Sequence, residues 1–170
     1  MVEKWSPFEG LRAKLPAEGK DLLLTIEEIS ALYSLQAKAK PVEKELGLPA
    51  DISVGEITTQ ENKHLICLGP DKWLLITDRP IPNPGPIAVD ITQTRCWLRL
   101  EGLQAEALLN KLSTFDFKQL HVGNAAATEL VGVQVVIVRN TNEGYLIGSA
   151  TTHGPFLAES LIDAITFTGI

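Results

Sequence analysis

The stretch Leu68-Gly69-Pro70-Asp71-Lys72-Trp73-Leu74-Leu75-Ile76 decides how this chain is read. An acid, a base and an indole side by side can be a chemical site. They can equally be the tip of a hairpin with a strand behind it. The flanks favour the hairpin. Residues 64–68 and 73–77 are two apolar, strand-like runs, and Gly69-Pro70-Asp71-Lys72 lies between them. Proline pre-sets the dihedral at the first central position of a type I turn, and Asp is tolerated at the second. Trp73 then opens the return strand, where a large aromatic supports cross-strand pairing. Asp71 and Lys72 have no His, Ser or Cys beside them with which to build a catalytic set.

The same device recurs further along the chain. Residues 131–138 and 145–147 read as strands around Asn140-Thr141-Asn142-Glu143-Gly144, again with an aromatic, Tyr145, opening the return. Upstream of the first hairpin, residues 21–28 read as a strand. A helical segment is expected from Ser30, a good N-cap, with a second helical piece over 41–46 that begins on Pro41 and ends at Gly47. Lys38, Lys40 and Lys44 alternate with Glu43 and Glu45, as on a solvated face. Upstream of the second hairpin, residues 87–91 and 95–100 read as a strand pair or one bent strand. Ala105, Leu108, Leu109 and Leu112 follow at helical spacing. A last helix starts near Gly154-Pro155 and places Phe156, Leu157, Leu161, Ala164 and Ile165 on one face.

The order of elements implies an α+β fold: two β-α-β-β units with antiparallel sheets and helices on one face of each. Residues 1–20 read as an irregular arm, tethered by Trp5, Phe8 and Leu11 to the core or to another chain. Residues 21–170 form one domain of two similar halves, 21–77 and 87–170. Residues 78–86, with four of the ten prolines, are the stiff connector between them.

The totals narrow the partners. The chain has 170 residues, 45% hydrophobic and 21% charged, with a net charge of -6, which disfavours nucleic acid and anionic membranes as partners. Cys67 and Cys96 lie in apolar runs without metal-ligand spacing and read as buried, inert thiols; a disulfide between them stays open. His64, His121 and His153 are scattered. Asp90 and Asp116 stand alone at element ends, where capping is the routine use, and Thr151-Thr152-His153 reads as a helix cap. No glycine-rich phosphate loop follows a strand. The N-terminus lacks an apolar signal core and no run is long enough for a bilayer, so a cytoplasmic location is expected.

One block goes beyond pattern. Val89-Asp90-Ile91-Thr92, then Trp97 to Leu100, Gly102, Ala105 to Leu109, Leu112, Thr114-Phe115-Asp116-Phe117, Leu120 and Gly123 together resemble the folate-binding aminomethyltransferase superfamily. Within it, residues 68–76 placed before this block are similar to the gamma-subunit family of heterotetrameric sarcosine oxidases. Lys72 departs from the acidic residue usual there, and the Pro-rich 78–86 stands where relatives have a helix, as in a compact or divergent member. The resemblance implies an aminomethyltransferase folate-domain-like fold. It also implies that enzymes of the superfamily hold folate near an Asp-Asp pair. In the matching stretch, residues 125–138, Glu129 is the sole acid, Gly148-Ser149 replaces the expected asparagine, and the Lys-Gly-Cys-Tyr phrase of the tRNA-modifying relatives does not occur.

The resemblance therefore implies a non-catalytic gamma-type subunit with no catalytic, cofactor-binding or metal residue of its own. It would sit beside alpha, beta and delta subunits that carry FAD, FMN, NAD and tetrahydrofolate and demethylate sarcosine oxidatively to glycine. Trp5, Phe8 and residues 78–86 are the expected contact surface. The alternative is a stand-alone folate-binding protein of one-carbon metabolism, for which Asp90 and Trp97 are the nearest acid and aromatic. A homo-oligomer without a small-molecule role is the third reading.

Overall fold

Two antiparallel sheets with helices on their outer faces make up the computed structural model, which describes residues 6–19 and 21–167. The first sheet has six strands: β1 (Ala17–Gly19), β2 (Leu22–Glu27), β8 (Arg95–Glu101), β11 (Gly144–Ala150), β10 (Val133–Arg139) and β9 (Ala125–Leu130), in that spatial order. The second has five: β4 (Ile57–Gln60), β5 (Lys63–Gly69), β6 (Lys72–Thr77), β3 (Ala31–Gln36) and β7 (Ala88–Asp90). The helices are α1 (Ala39–Leu46), α2 (Ala105–Leu112) and α3 (Gly154–Phe167). No helix among the described residues is long and apolar enough to cross a membrane.

The two sheets do not follow the two halves of the sequence. β2, from the N-terminal half, pairs with β8, and β7, from beyond the Pro-rich connector, pairs with β3. Each half thus lends a strand to the other's sheet. Residues 78–86 carry neither helix nor strand.

Period-two alternation builds the layers. Along β8, Cys96, Leu98 and Leu100 turn towards α2 and α3, where they meet Leu108, Leu109, Leu157 and Leu161. Trp97 turns the other way. With Val136 and Val138 it meets Leu32, Ile66 and Leu74 of the second sheet. A third cluster packs Tyr33, Leu35, Leu65, Trp73 and Leu75 against Val42 and Leu46 of α1. Trp73 is 4% exposed, and its Nε1 donates to the Ala37 carbonyl at 2.8 Å, so the indole of the opening stretch is a core side chain.

Four expectations need correction. The segment after Ser30 is strand, not helix: in Ala31-Leu32-Tyr33-Ser34-Leu35-Gln36, Ala31, Tyr33 and Leu35 face the α1 core while Leu32 faces the other sheet. Pairing on both sides, with β6 and β7, overrides the helix propensity of Ala, Leu and Gln. The turn at Pro70-Asp71 is not type I, because Asp71 has φ 57°. A positive φ at the second central position is the type II pattern, which Asp tolerates better than most residues. Residues 131–138 are not one strand: Val131 (φ 47°) and Gly132 (φ 80°) form the two-residue turn between β9 and β10. Phe156 is 55% exposed; one position before Leu157, it lies about 100° round the helix from the buried stripe.

The arm is also more ordered than expected. Residues Glu9–Lys14 make a 3-10 turn and β1 is an edge strand beside β2. Phe8 and Leu11 are buried in the protein's own core, which removes Phe8 from the contact surface. Trp5 lies outside the described residues. α1 starts two residues before the expected 41, with Pro41 in its first turn and Gly47 left-handed at its C-terminal cap.

Candidate functional site

Asp90 and Trp97, the acid and aromatic nearest to a pterin site by sequence, do not form one. Asp90 ends β7 at an exposed edge. Its Oδ1 accepts from the Thr92 amide at 2.9 Å and the Thr92 hydroxyl at 2.6 Å, and these bonds hold its carboxyl below the ordinary value. Thr92 Oγ1 in turn accepts from the Leu32 amide at 2.9 Å. Asp90 is thus a pin between β7 and β3. Trp97 is 3% exposed between the sheets, with its Nε1 buried and unpaired. Its ring lies over Gly148, the residue opposite it on β11: a Cβ at 148 would come within 2.7 Å of Cη2, Cζ2 and Cζ3. The absent side chain at 148 is the space the indole occupies.

The other candidates are dispersed. Cys67 and Cys96 are free, buried and in different core clusters, so no disulfide joins them. Burial pushes the Cys96 thiol up, and its Sγ lies 3.4 Å from Ser149 Oγ. His64 Nδ1 shares a hydrogen bond with Thr59 Oγ1 at 3.0 Å; His121 and His153 are exposed. Asp116 caps the 3-10 turn Phe117–Gln119 by accepting from the Lys118 amide, as expected of a lone acid there. No three His, Cys, Asp or Glu among the described residues are grouped to hold a metal ion.

Two cavities flank the crossover from β2 to β3. One, of about 670 Å³, lies between the 3-10 turn Glu9–Lys14 and the first sheet, bordered by Arg12, Glu27, Arg95 and Trp97. The other, of about 490 Å³, opens between the sheets. Ile66 and Ile76 line it from one side and Val138 and Leu146 from the other. Glu28, Glu61 and Asp78 are exposed at its edge. Arg99 enters it from β8; its Nε donates to Glu27 at 2.8 Å and Nη1 to Glu101 at 3.5 Å. Sequence reading missed Arg99. The available signal was its place in Arg95-Cys96-Trp97-Leu98-Arg99, two residues from Trp97 and therefore on the same, inter-sheet face.

No family model and no curated protein matches the chain. Solved structures do. The chain is similar to a chain of the heterotetrameric sarcosine oxidase from Corynebacterium sp. U-96, solved in complex with pyrrole 2-carboxylate. The TM-score is 0.86 at 22% identity, covering 98% of this chain and 97% of that one. It is also similar to the glycine cleavage system aminomethyltransferase T from Bartonella henselae, with a TM-score of 0.67 at 17% identity, covering 94% of this chain and 57% of that one. The chain therefore has the aminomethyltransferase-type fold, and shares it from end to end with a chain of a heterotetrameric sarcosine oxidase.

Proposed function

We propose that this chain is a non-catalytic, gamma-type subunit of a sarcosine oxidase-like complex. Partner chains, corresponding to alpha, beta and delta subunits, carry the FAD, FMN, NAD and tetrahydrofolate and oxidise sarcosine to glycine. The chain contributes a rigid surface to that assembly. The observation that carries this reading is the reciprocal coverage, 98% of this chain on 97% of the other. A whole chain of an oligomer is matched by a whole chain, whereas the single-chain aminomethyltransferase is matched over 57% of its length. Trp97 is buried on Gly148 and Asp90 is held by Thr92, so this pair offers neither the open aromatic face nor the free acid that a pterin site needs, which supports a scaffold.

The test is purification of a tagged copy from its native host, with mass spectrometry of co-purifying chains and a visible absorption spectrum. A yellow complex with larger partner chains is expected. A colourless, solitary 18.5 kDa chain overturns the reading. In that case calorimetry with tetrahydrofolate on the isolated chain decides whether it is a folate-binding protein.

A further inference from the structure

We propose that the cavity between the two sheets receives a basic side chain, Lys or Arg, from a loop of a partner protein. This rests on the subunit reading and names the chemistry of one contact.

The cavity's walls and edge ask for different things. Ile66, Ile76, Val138 and Leu146 offer an apolar shaft of the kind that the methylene stem of Lys or Arg covers. The edge offers acceptors. Asp78 is shared with the Asn62 amide and, at 3.7 Å, with the well exposed Arg79. Glu28 and Glu61 are exposed and engage no cation or hydrogen-bond donor among the described residues. Arg99, the one cation lining the cavity among them, is already taken by Glu27 and Glu101. Ammonium and guanidinium groups carry donors and no acceptor, so they match this set. An anionic ligand such as a glutamate tail meets uncompensated carboxylates instead. At about 490 Å³, the space exceeds what one long side chain fills, which leaves room for the flanking backbone of a loop. In a partner interface the desolvated charge pair gives orientation and salt dependence.

The experiment uses the tagged full-length chain and the complex it brings down from its native host, washed at rising ionic strength. Glu28→Lys combined with Glu61→Lys reverses the two free charges without touching an ion pair. Glu18→Lys with Asp163→Lys, on exposed positions away from the cavity, makes the same change in net charge. Glu28→Gln with Glu61→Gln keeps the shape and guards against a folding defect. The first variant should recover partner chains roughly tenfold less at low salt, the Gln pair less severely, and the control as wild type. Equal recovery by wild type and the cavity variants overturns the proposal, as does an equal loss in the control. A wild-type chain that brings down no partner removes the subunit reading and this inference together. Saturable tetrahydrofolate binding that Leu146→Trp abolishes also overturns it, since the cavity would then serve an anionic ligand.

Discussion

Trp97 and Gly148 face each other across β8 and β11, and the indole rests on the α-carbon of the glycine. The contact is close on three ring atoms at once, each 2.7 Å from where a Cβ would stand. A ring wedged between two sheets has no free direction of retreat, since Trp97 is 3% exposed. Gly148→Ala is therefore expected to overpack the inter-sheet layer and to cost about 1–3 kcal/mol. Trp97→Phe removes the colliding outer ring and leaves a void in its place. The double variant should lose less than the sum of the two single losses, because each change relieves the other. Thermal melts of the four proteins measure this. Strict additivity would mean that the two residues do not share the space.

The strands and their hairpins were legible because short-range rules set them. Polar tips between apolar runs, an aromatic opening each return and glycine after α1 all follow from local chemistry. β3 was not legible. Its period-two burial competes with good helix formers, and what settles it is pairing with β6 and β7, 42 and 57 residues away in the pairs Tyr33 with Leu75 and Asp90. The lending of β2 and β7 between sheets was hidden for the same reason: both segments read as strands, and no local signal names a strand's neighbour. The site reading suffered from the opposite limit. Asp90 and Trp97 are close in sequence, but consecutive faces and a committed carboxylate keep them apart. Arg99 was passed over because one charge in an apolar strand looks like an interruption until the opposite sheet supplies an acidic edge.

Arg139 holds the loop after α2 to the second hairpin. Its Nη1 donates to the Leu120 carbonyl at 2.9 Å and lies 3.2 Å from Glu106 Oε2; Nη2 donates to the Asn142 carbonyl at 2.8 Å. The guanidinium also stands 5.3 Å from the Tyr145 ring centroid. Arg139→Met is expected to cost about 3 kcal/mol, because it leaves carbonyls and a carboxylate partly buried without a donor. Arg139→Lys should recover a minor part, since an ammonium cannot span the fork. Urea unfolding gives both values. A Lys variant as stable as wild type would assign the residue a simple charge role.

Stability should fall at alkaline pH through two buried groups. Burial raises the Cys96 thiol above 9.0 and the Tyr145 phenol above 10.0. For each, the unfolded chain ionises first as pH rises. The stabilisation is fully present below the unfolded value and is lost as pH climbs through the folded one. The decline therefore starts near pH 9 for Cys96 and near pH 10 for Tyr145. Cys96→Ala should flatten the first part of the decline and leave the second. Denaturant titrations from pH 7 to 10.5 on both proteins provide the comparison. An unchanged slope between pH 9 and 10 in the variant would rule out the thiol as its source.

Val131 takes a left-handed conformation, φ 47°, in the turn that joins β9 to β10. A β-branched residue pays most for that region, because both γ-branches crowd the backbone. The strain is about 1–2 kcal/mol. Against it, Val131 is partly buried against the α2 and α3 core, and its amide donates to the Leu112 carbonyl at 2.9 Å. Val131→Asn keeps that amide bond and places Asn-Gly, the preferred pair for a turn with two positive φ values, before β10. The relief of strain exceeds the loss of a half-buried isopropyl group. The variant should melt a few degrees higher, in line with about 1 kcal/mol on a chain of this size. A lower melting temperature would show that packing on the core, not the turn, governs residue 131.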